Sequence, residues 1–303
     1  MAEGSPSSPT LTEVPHRWTQ IRAERLTGLV LIIGAPDTGK STLARHLYTR
    51  AAASGRRMAY IDGDPGQSTL GPPTTITMAL ACPDNASFPP DGETRRYFVG
   101  HVSPRGHMIS LVVGARRLLD EALRLGAETV IYDTCGLVDR AQGGHNLKWA
   151  LIELLHPKVV FALQKERELE SLLLPLRLGS RTRVVDLPAS HLVTPRDSAA
   201  RRANRAAQFA AYFRQAMPLT LDWSRLAVFP EPYFTPGRLL ALLDGEGFTL
   251  GLGLVLEFNR GGRTVTIKTP VRPLEAIKAL HLGDLSLDLQ TYEDCRLAFY
   301  EPR

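Results

Sequence analysis

Cysteine is scarce in this chain, long apolar runs are missing and neither sign of charge predominates; each shortage excludes something. The three cysteines among 303 residues, Cys82, Cys135 and Cys295, are too few and too widely spaced for a disulfide framework or a zinc site, which favours a reducing compartment. No apolar stretch approaches the ~20 residues needed to cross a bilayer. The N-terminus, Met1-Ala2-Glu3-Gly4-Ser5-Pro6, lacks a basic-then-apolar leader. A cytoplasmic protein without a membrane segment is expected. The 36 Lys+Arg against 31 Asp+Glu leave a formal charge of +5, a mild lean toward a polyanionic partner. A hydrophobic content of 44% is that of a folded globular protein, and the length allows a well-buried domain of roughly 200 residues beside a smaller module.

What is present is dominated by Gly34-Ala35-Pro36-Asp37-Thr38-Gly39-Lys40-Ser41, between the apolar run Leu29–Ile33 and the helix-period stretch from Thr42 to Tyr48. The spacing G-x-x-x-x-G-K-S in that setting predicts the strand, loop and helix of a phosphate-binding P-loop. Residues Gly34 to Thr42 would wrap a nucleotide triphosphate with backbone N–H groups, Lys40 would reach its β- and γ-phosphates, and the Ser41 hydroxyl would bind Mg²⁺.

Further carboxylates follow at strand ends. Met58-Ala59-Tyr60-Ile61 leads to Asp62-Gly63-Asp64-Pro65-Gly66-Gln67, where either aspartate can accept a proton from an attacking hydroxyl, hold the water shell of Mg²⁺, or simply cap the turn. If the strand persists to Asp64, the two side chains point the same way. Residues 71 to 96 read as a long loop, and Tyr97–Gly100 as a third strand closed by His101-Val102-Ser103-Pro104-Arg105-Gly106-His107, a candidate substrate surface. Its two histidines lack the partners of a metal site. Glu128 to Asp133 is a strand ending in Asp133-Thr134-Cys135-Gly136, which places Asp133 as a Mg²⁺ ligand and Gly136 beside the γ-phosphate; Cys135 reads as small filler. The strand Lys158–Leu163 ends in Gln164-Lys165-Glu166-Arg167 where a guanine-reading protein would show N-K-x-D, so ATP is the expected nucleotide. With a strand at Arg183–Leu187, the pattern predicts an α/β fold, a five- or six-strand parallel P-loop NTPase sheet flanked by helices.

An alanine-rich helix is expected from near Arg196, within a lid of about 195–213. Arg201 and Arg205 share its face, with Arg196 nearby, and like charges at that spacing call for an anion. That anion is either the nucleotide's phosphates or a nucleic-acid backbone, unless the arginines are merely solvated. From Leu219 the chain turns to short alternating runs with glycine turns, expected as a small C-terminal β-rich domain over 218–303, after a P-loop domain over 28–217 and a tail and lead-in over 1–27.

The P-loop, Asp64-x-x-Gln67, Gly100-His101-x-Ser103-Pro104, Asp133-Thr134-x-Gly136 and the arginine lid ending in Tyr212-Phe213 occur in this order. Together they resemble the polynucleotide 5′-hydroxyl kinase family, which includes the kinase subunit of the pre-mRNA cleavage complex and the kinases of ribosomal-RNA processing. The resemblance covers about residues 28 to 215, and loosely the C-terminal part. It implies ATP and Mg²⁺ on Lys40 and Ser41, and Asp64 as the base acting on the 5′-hydroxyl of single-stranded or duplex-end RNA or DNA. It also implies Arg196, Arg201 and Arg205 on the transferring phosphoryl group, Gln67 near the substrate side and Ser103 in contact with phosphate; beside them, Asp62 at its strand end and Arg105 in its loop are expected to bind substrate. Leu137 stands where the family usually has tryptophan, removing an expected stacking platform. Only about 27 residues precede the first strand, so the large N-terminal β domain of some members is expected to be absent. The alternative class is a nucleotide-hydrolysing switch or assembly factor without kinase activity.

Overall fold

The computed structural model describes residues 14–82, 87–190, 193–272 and 274–297. The tail expected over residues 1 to about 15 lies outside these as far as residue 13, as do residues 83–86 of the expected loop. The fold is built on two seven-stranded sheets. After the short helix α1 (His16–Thr19), the first sheet takes β1 (Gly28–Gly34), β2 (Met58–Gly63), β3 (Thr75–Leu80), β4 (Thr94–Phe98), β5 (Thr129–Thr134), β6 (Val159–Gln164) and β7 (Arg183–Pro188). The spatial order is β4-β3-β2-β5-β1-β6-β7, and the five strands from β2 to β7 run parallel. The connecting helices are α2 (Lys40–Ala52), α3 (Met108–Arg124), α4 (Gly144–Leu155) and α5 (Glu170–Leu178).

Alternation along β1 separates the two helical layers. Leu29, Leu31 and Ile33 face the core made with α3, α4 and α5, while Val30 and Ile32 face α2 and the buried Trp18 of α1. Because β1, β2, β5 and β6 are covered on both faces, they read as continuous apolar runs. Their carboxyl ends form one rim, where the chain departs to opposite faces and ligands bind in such sheets.

Residues 71 to 96 are not the single loop expected from sequence. They contain all of β3 and the start of β4, both antiparallel additions beyond β2, so the expected strand Tyr97–Gly100 begins earlier and ends at Phe98. Flanking proline and glycine masked β3, whose six residues are all buried and owe their extended state to pairing with Ala59–Asp62.

Helix α6 (Ser198–Tyr212) leads into the second sheet: β8 (Met217–Asp222), β9 (Ala227–Phe229), β10 (Arg238–Leu243), β11 (Thr249–Asn259), β12 (Thr264–Thr269), β13 (Ala279–Leu287) and β14 (Asp294–Arg296). Six strands are antiparallel in the order β14-β13-β10-β11-β12-β8, and β9 joins β13 in parallel. Phe209 and Phe213 of the α6 region are fully buried with Leu239, Ala241, Leu252 and Leu254 on one face of this sheet. Each such burial contributes about 1.5–3 kcal/mol. The helix is therefore seated on the second sheet while its N-terminal end overhangs the rim of the first. Among the described residues no helix is long and apolar enough to cross a membrane.

Candidate active site

A cleft of about 1780 Å³ opens at that rim, lined by the P-loop, Asp64, Ser103, Gly136, Lys165 and Arg201, among others. It exceeds the roughly 300–1,000 Å³ that a single small ligand occupies. There is room for a nucleotide and part of a second substrate.

The P-loop takes the shape its sequence dictates. Gly39 lies at φ +93° as the N-cap of α2, and a Cβ there would also stand 2.9 Å from the Trp18 ring, so two separate constraints require glycine. Thr38 Oγ1 and Lys40 Nζ both donate to the Ala35 carbonyl, at 2.9 and 2.6 Å, which curls the loop. Burial pulls the Lys40 ammonium below the usual lysine range, while Asp133 and Asp64 work against that shift.

Three aspartates converge, and burial gives each a different situation. Asp62 and Asp133 are paired across β2 and β5. Asp133 is 4% exposed and accepts from Tyr60 at 3.3 Å; burial raises its carboxyl to about 6, with the nearby Ser41 hydroxyl working against the shift. Its other oxygen, Oδ1, is buried and has no partner among the described residues. A carboxylate oxygen left over beside a serine hydroxyl at the mouth of a phosphate loop fits a hard cation, so Ser41 and Asp133 suit Mg²⁺.

Asp62, expected on the substrate side, is instead 2% exposed. Its Oδ2 accepts from the Ser68 hydroxyl at 3.0 Å and from the Thr69 and Leu70 amides at 2.5 and 3.1 Å. It organises the turn behind Asp64, and no face of it reaches the cleft. Strand β2 ends at Gly63, so Asp64 is not aligned with Asp62 as an extended strand would have it. Asp64 borders the cleft, and its Oδ1 is fixed by the Gly66 and Gln67 amides at 2.8 and 3.0 Å.

The lid starts two residues later than expected. Asp197 is its N-cap, accepting from Ala200 at 2.7 Å, so Arg196 precedes the helix and its backbone N–H donates to Asp37 at 3.4 Å. The anions that meet the arginine face are carboxylates from opposite sides. Arg201 donates to Asp37 of the P-loop at 2.6 Å, whereas Arg205 forms a two-pronged pair with Asp294 of β14 at 2.9 and 3.0 Å. Gln67, expected at the substrate, bonds to the lid through the Arg201 carbonyl and Asn204, at 3.4 and 3.3 Å. Ser103 and Arg105 stand together on the cleft, the Arg105 amide donating to Ser103 Oγ at 3.3 Å.

Two residues escaped the sequence reading. Asp294 lies in a part that shows no catalytic pattern, and nothing local marks it. Lys148 did leave a signal: it is a lone charge among Leu147, Leu151, Ile152 and Leu155 on the buried face of α4. Arg167 stands where a guanine-reading aspartate would be, and the next residue, Glu168, caps the loop, accepting from the Lys165 and Glu166 amides at 3.0 Å each.

Known proteins resemble this chain. The chain is 25% identical over 311 residues to the polyribonucleotide 5′-hydroxyl-kinase of Pyrococcus furiosus, covering 84% of this chain and 86% of that one. It is 28% identical over 319 residues to the polyribonucleotide 5′-hydroxyl-kinase of Methanocaldococcus jannaschii, covering 86% and 87%. A CLP1 homolog of Drosophila mojavensis is 30% identical over 196 residues, 61% of this chain and 45% of that protein. The fold matches wild-type Clp1p in its complex with Pcf11p, with a TM-score of 0.67 at 17% identity over 89% of this chain and 77% of that one. A family model described as the mRNA cleavage and polyadenylation factor CLP1 P-loop matches residues 34–215, more than half of the chain, and the protein belongs to that family.

Proposed function

We propose that this protein is an ATP-dependent polynucleotide 5′-hydroxyl kinase acting on RNA or DNA ends. The observation that carries this reading is the meeting of the P-loop, Asp64 and the arginine lid around one cleft larger than a nucleotide needs. The archaeal relatives that share most of the chain's length carry that activity in their names.

In this reading residues 34–42 hold ATP. Ser41 and Asp133 hold Mg²⁺, which neutralises charge on the β- and γ-phosphates when bound. Asp64 accepts the proton of the 5′-hydroxyl as its oxygen bonds to the γ-phosphorus. The bond from that phosphorus to the β–γ bridging oxygen breaks, and ADP leaves with the electron pair. Lys40, Arg196 and Arg201 offset the charge on the moving phosphoryl group, and Arg205 joins them on parting from Asp294. Ser103 and Arg105 contact the incoming strand, Gln67 ties the lid to the turn that carries Asp64, and Asp62 acts behind it. The widely spaced cysteines favour a reducing, cytoplasmic setting.

The test is transfer of label from [γ-³²P]ATP to 5′-hydroxyl RNA and DNA oligonucleotides with Mg²⁺. Labelled oligonucleotide is expected with the wild type and none with Lys40→Ala. Label released only as inorganic phosphate, whatever oligonucleotide is offered, would overturn the reading in favour of a nucleotide-hydrolysing switch.

A further inference from the structure

Lys148 is fully buried, and its three contacts are to neutral groups. Nζ donates to the Thr134 hydroxyl at 3.0 Å and to the Cys135 carbonyl at 2.5 Å, and stands 3.5 Å from the Cys135 sulfur. Among the described residues it forms no ion pair. A buried cation without an anion costs several kcal/mol, so a solely structural position would be better filled by leucine or methionine. It also lies near enough to Lys40 for the two ammonium groups to oppose each other. A polyphosphate in the P-loop is the charge that would relieve both.

The Cys135–Gly136 peptide shows how a buried lysine acts on that phosphate without touching it. The bond is trans, so its carbonyl and its N–H point to opposite sides. With the carbonyl drawn to Lys148, the Gly136 N–H is turned away from α4. On that other side Gly136 lines the cleft against the P-loop, so closely that a Cβ would stand 3.0 Å from Pro36. An amide whose carbonyl accepts from a charged donor is polarised into a stronger donor itself.

Resting on the kinase reading, we infer that Lys148 is a positioning residue that aims and polarises the Gly136 N–H toward the γ-phosphate of bound ATP. It contacts neither substrate. Its effect is specific to the third phosphate, which separates it from a residue that merely supports the fold.

The experiment compares wild type with Lys148→Met, which keeps chain length and removes charge. The readouts are the dissociation constants of ADP and of a β,γ-imido ATP analogue, the kcat and KM of phosphoryl transfer, and the melting temperature. ADP affinity is expected to hold while analogue affinity falls about 10-fold, the equivalent of a charge-supported hydrogen bond. The kcat is expected to fall on the order of 100-fold, the scale of losing one oxyanion donor. An unchanged analogue-to-ADP ratio with unchanged kcat overturns the inference, and so does a parallel loss of both affinities with a lowered melting temperature. If Lys148→Met does not melt cooperatively, Lys148→Gln, with a neutral donor, carries the same measurements; failure of both to fold assigns Lys148 a structural role and overturns the inference. If the wild type labels no oligonucleotide while the analogue-to-ADP ratio still drops in the variant, the kinase reading fails and the role of Lys148 toward the third phosphate stands.

Discussion

At the scale of single residues, burial divides three nearby aspartates into different tasks, and their substitutions should separate accordingly. Asp64→Asn keeps both turn hydrogen bonds to the Gly66 and Gln67 amides available to the side-chain oxygen, and removes the proton acceptor of the proposed reaction. A loss of about 10²–10⁴ in kcat is expected with the melting temperature unchanged, as measured by initial rates at saturating ATP and by thermal denaturation. Asp62→Ala does the reverse, stranding the Ser68 hydroxyl and the Thr69 and Leu70 amides. It should lower stability by about 1–3 kcal/mol in urea titration, and activity only through the displaced turn. Sequence spacing identified both carboxylates, and the family resemblance favoured Asp64 as the base, but neither showed that Asp62 is enclosed. That difference depends on β2 ending at Gly63, one residue short of keeping the two side chains on one face.

Among the elements, the lid is the one whose composition was legible and whose mounting was not. Alanine content and arginine spacing foretell helix and charged face. That Phe209 and Phe213 are sunk into the second sheet, and that Arg205 is gripped by Asp294, depends on strands much further along, from Leu239 to Asp294. The two arginine pairs differ in exposure: the Arg205 and Asp294 side chains are 14% and 9% exposed, against 31% for Arg201. Arg205→Ala leaves a buried carboxylate unpaired and should cost about 3 kcal/mol, visible as a lowered melting midpoint. Arg201→Ala breaks a partly exposed pair, worth about 1 kcal/mol or less, and should act on kcat, by about 10³-fold if it meets the transferring phosphoryl group. Equal loss of stability in the two variants would contradict this division.

On the scale of the whole molecule, the two sheets are joined at the loop after β4 by an ion pair that responds to pH. His107 Nε2 lies 3.0 Å from Asp284 of β13, and His107 stacks on His101 at 5.0 Å between ring centres. The Asp284 carboxylate holds the His107 imidazolium above the ordinary histidine range, and His107 in turn holds Asp284 below the usual carboxylate range. Because the folded pKa of His107 is the higher one, its stabilisation is complete below the unfolded value of about 6.5 and disappears as pH rises through the folded value. The Asp284 share is present above the ordinary carboxylate value and disappears as pH falls through its depressed folded value. The melting temperature of wild type should therefore exceed that of His107→Gln most near pH 5 to 6, and the gap should close toward pH 8. A gap that does not vary with pH would mean that the pair contributes by packing alone.

The sequence by itself determined the P-loop, the strand-end carboxylates, the arginine face and the ordered set of motifs that points to this family. These follow from spacing along a few residues, where local geometry leaves little choice. Tertiary structure decided what spacing cannot carry: that Thr75–Leu80 is a strand, that Asp62 is enclosed while Asp64 reaches the cleft, and that the lid is seated on the second sheet. It also decided that a lysine in an apolar helix ends beneath the segment Thr134–Gly136. The physical reason is common to all of these. Each depends on which side chains come to lie against a given backbone from distant parts of the chain, and burial, not sequence separation, sets what a charged group there can do.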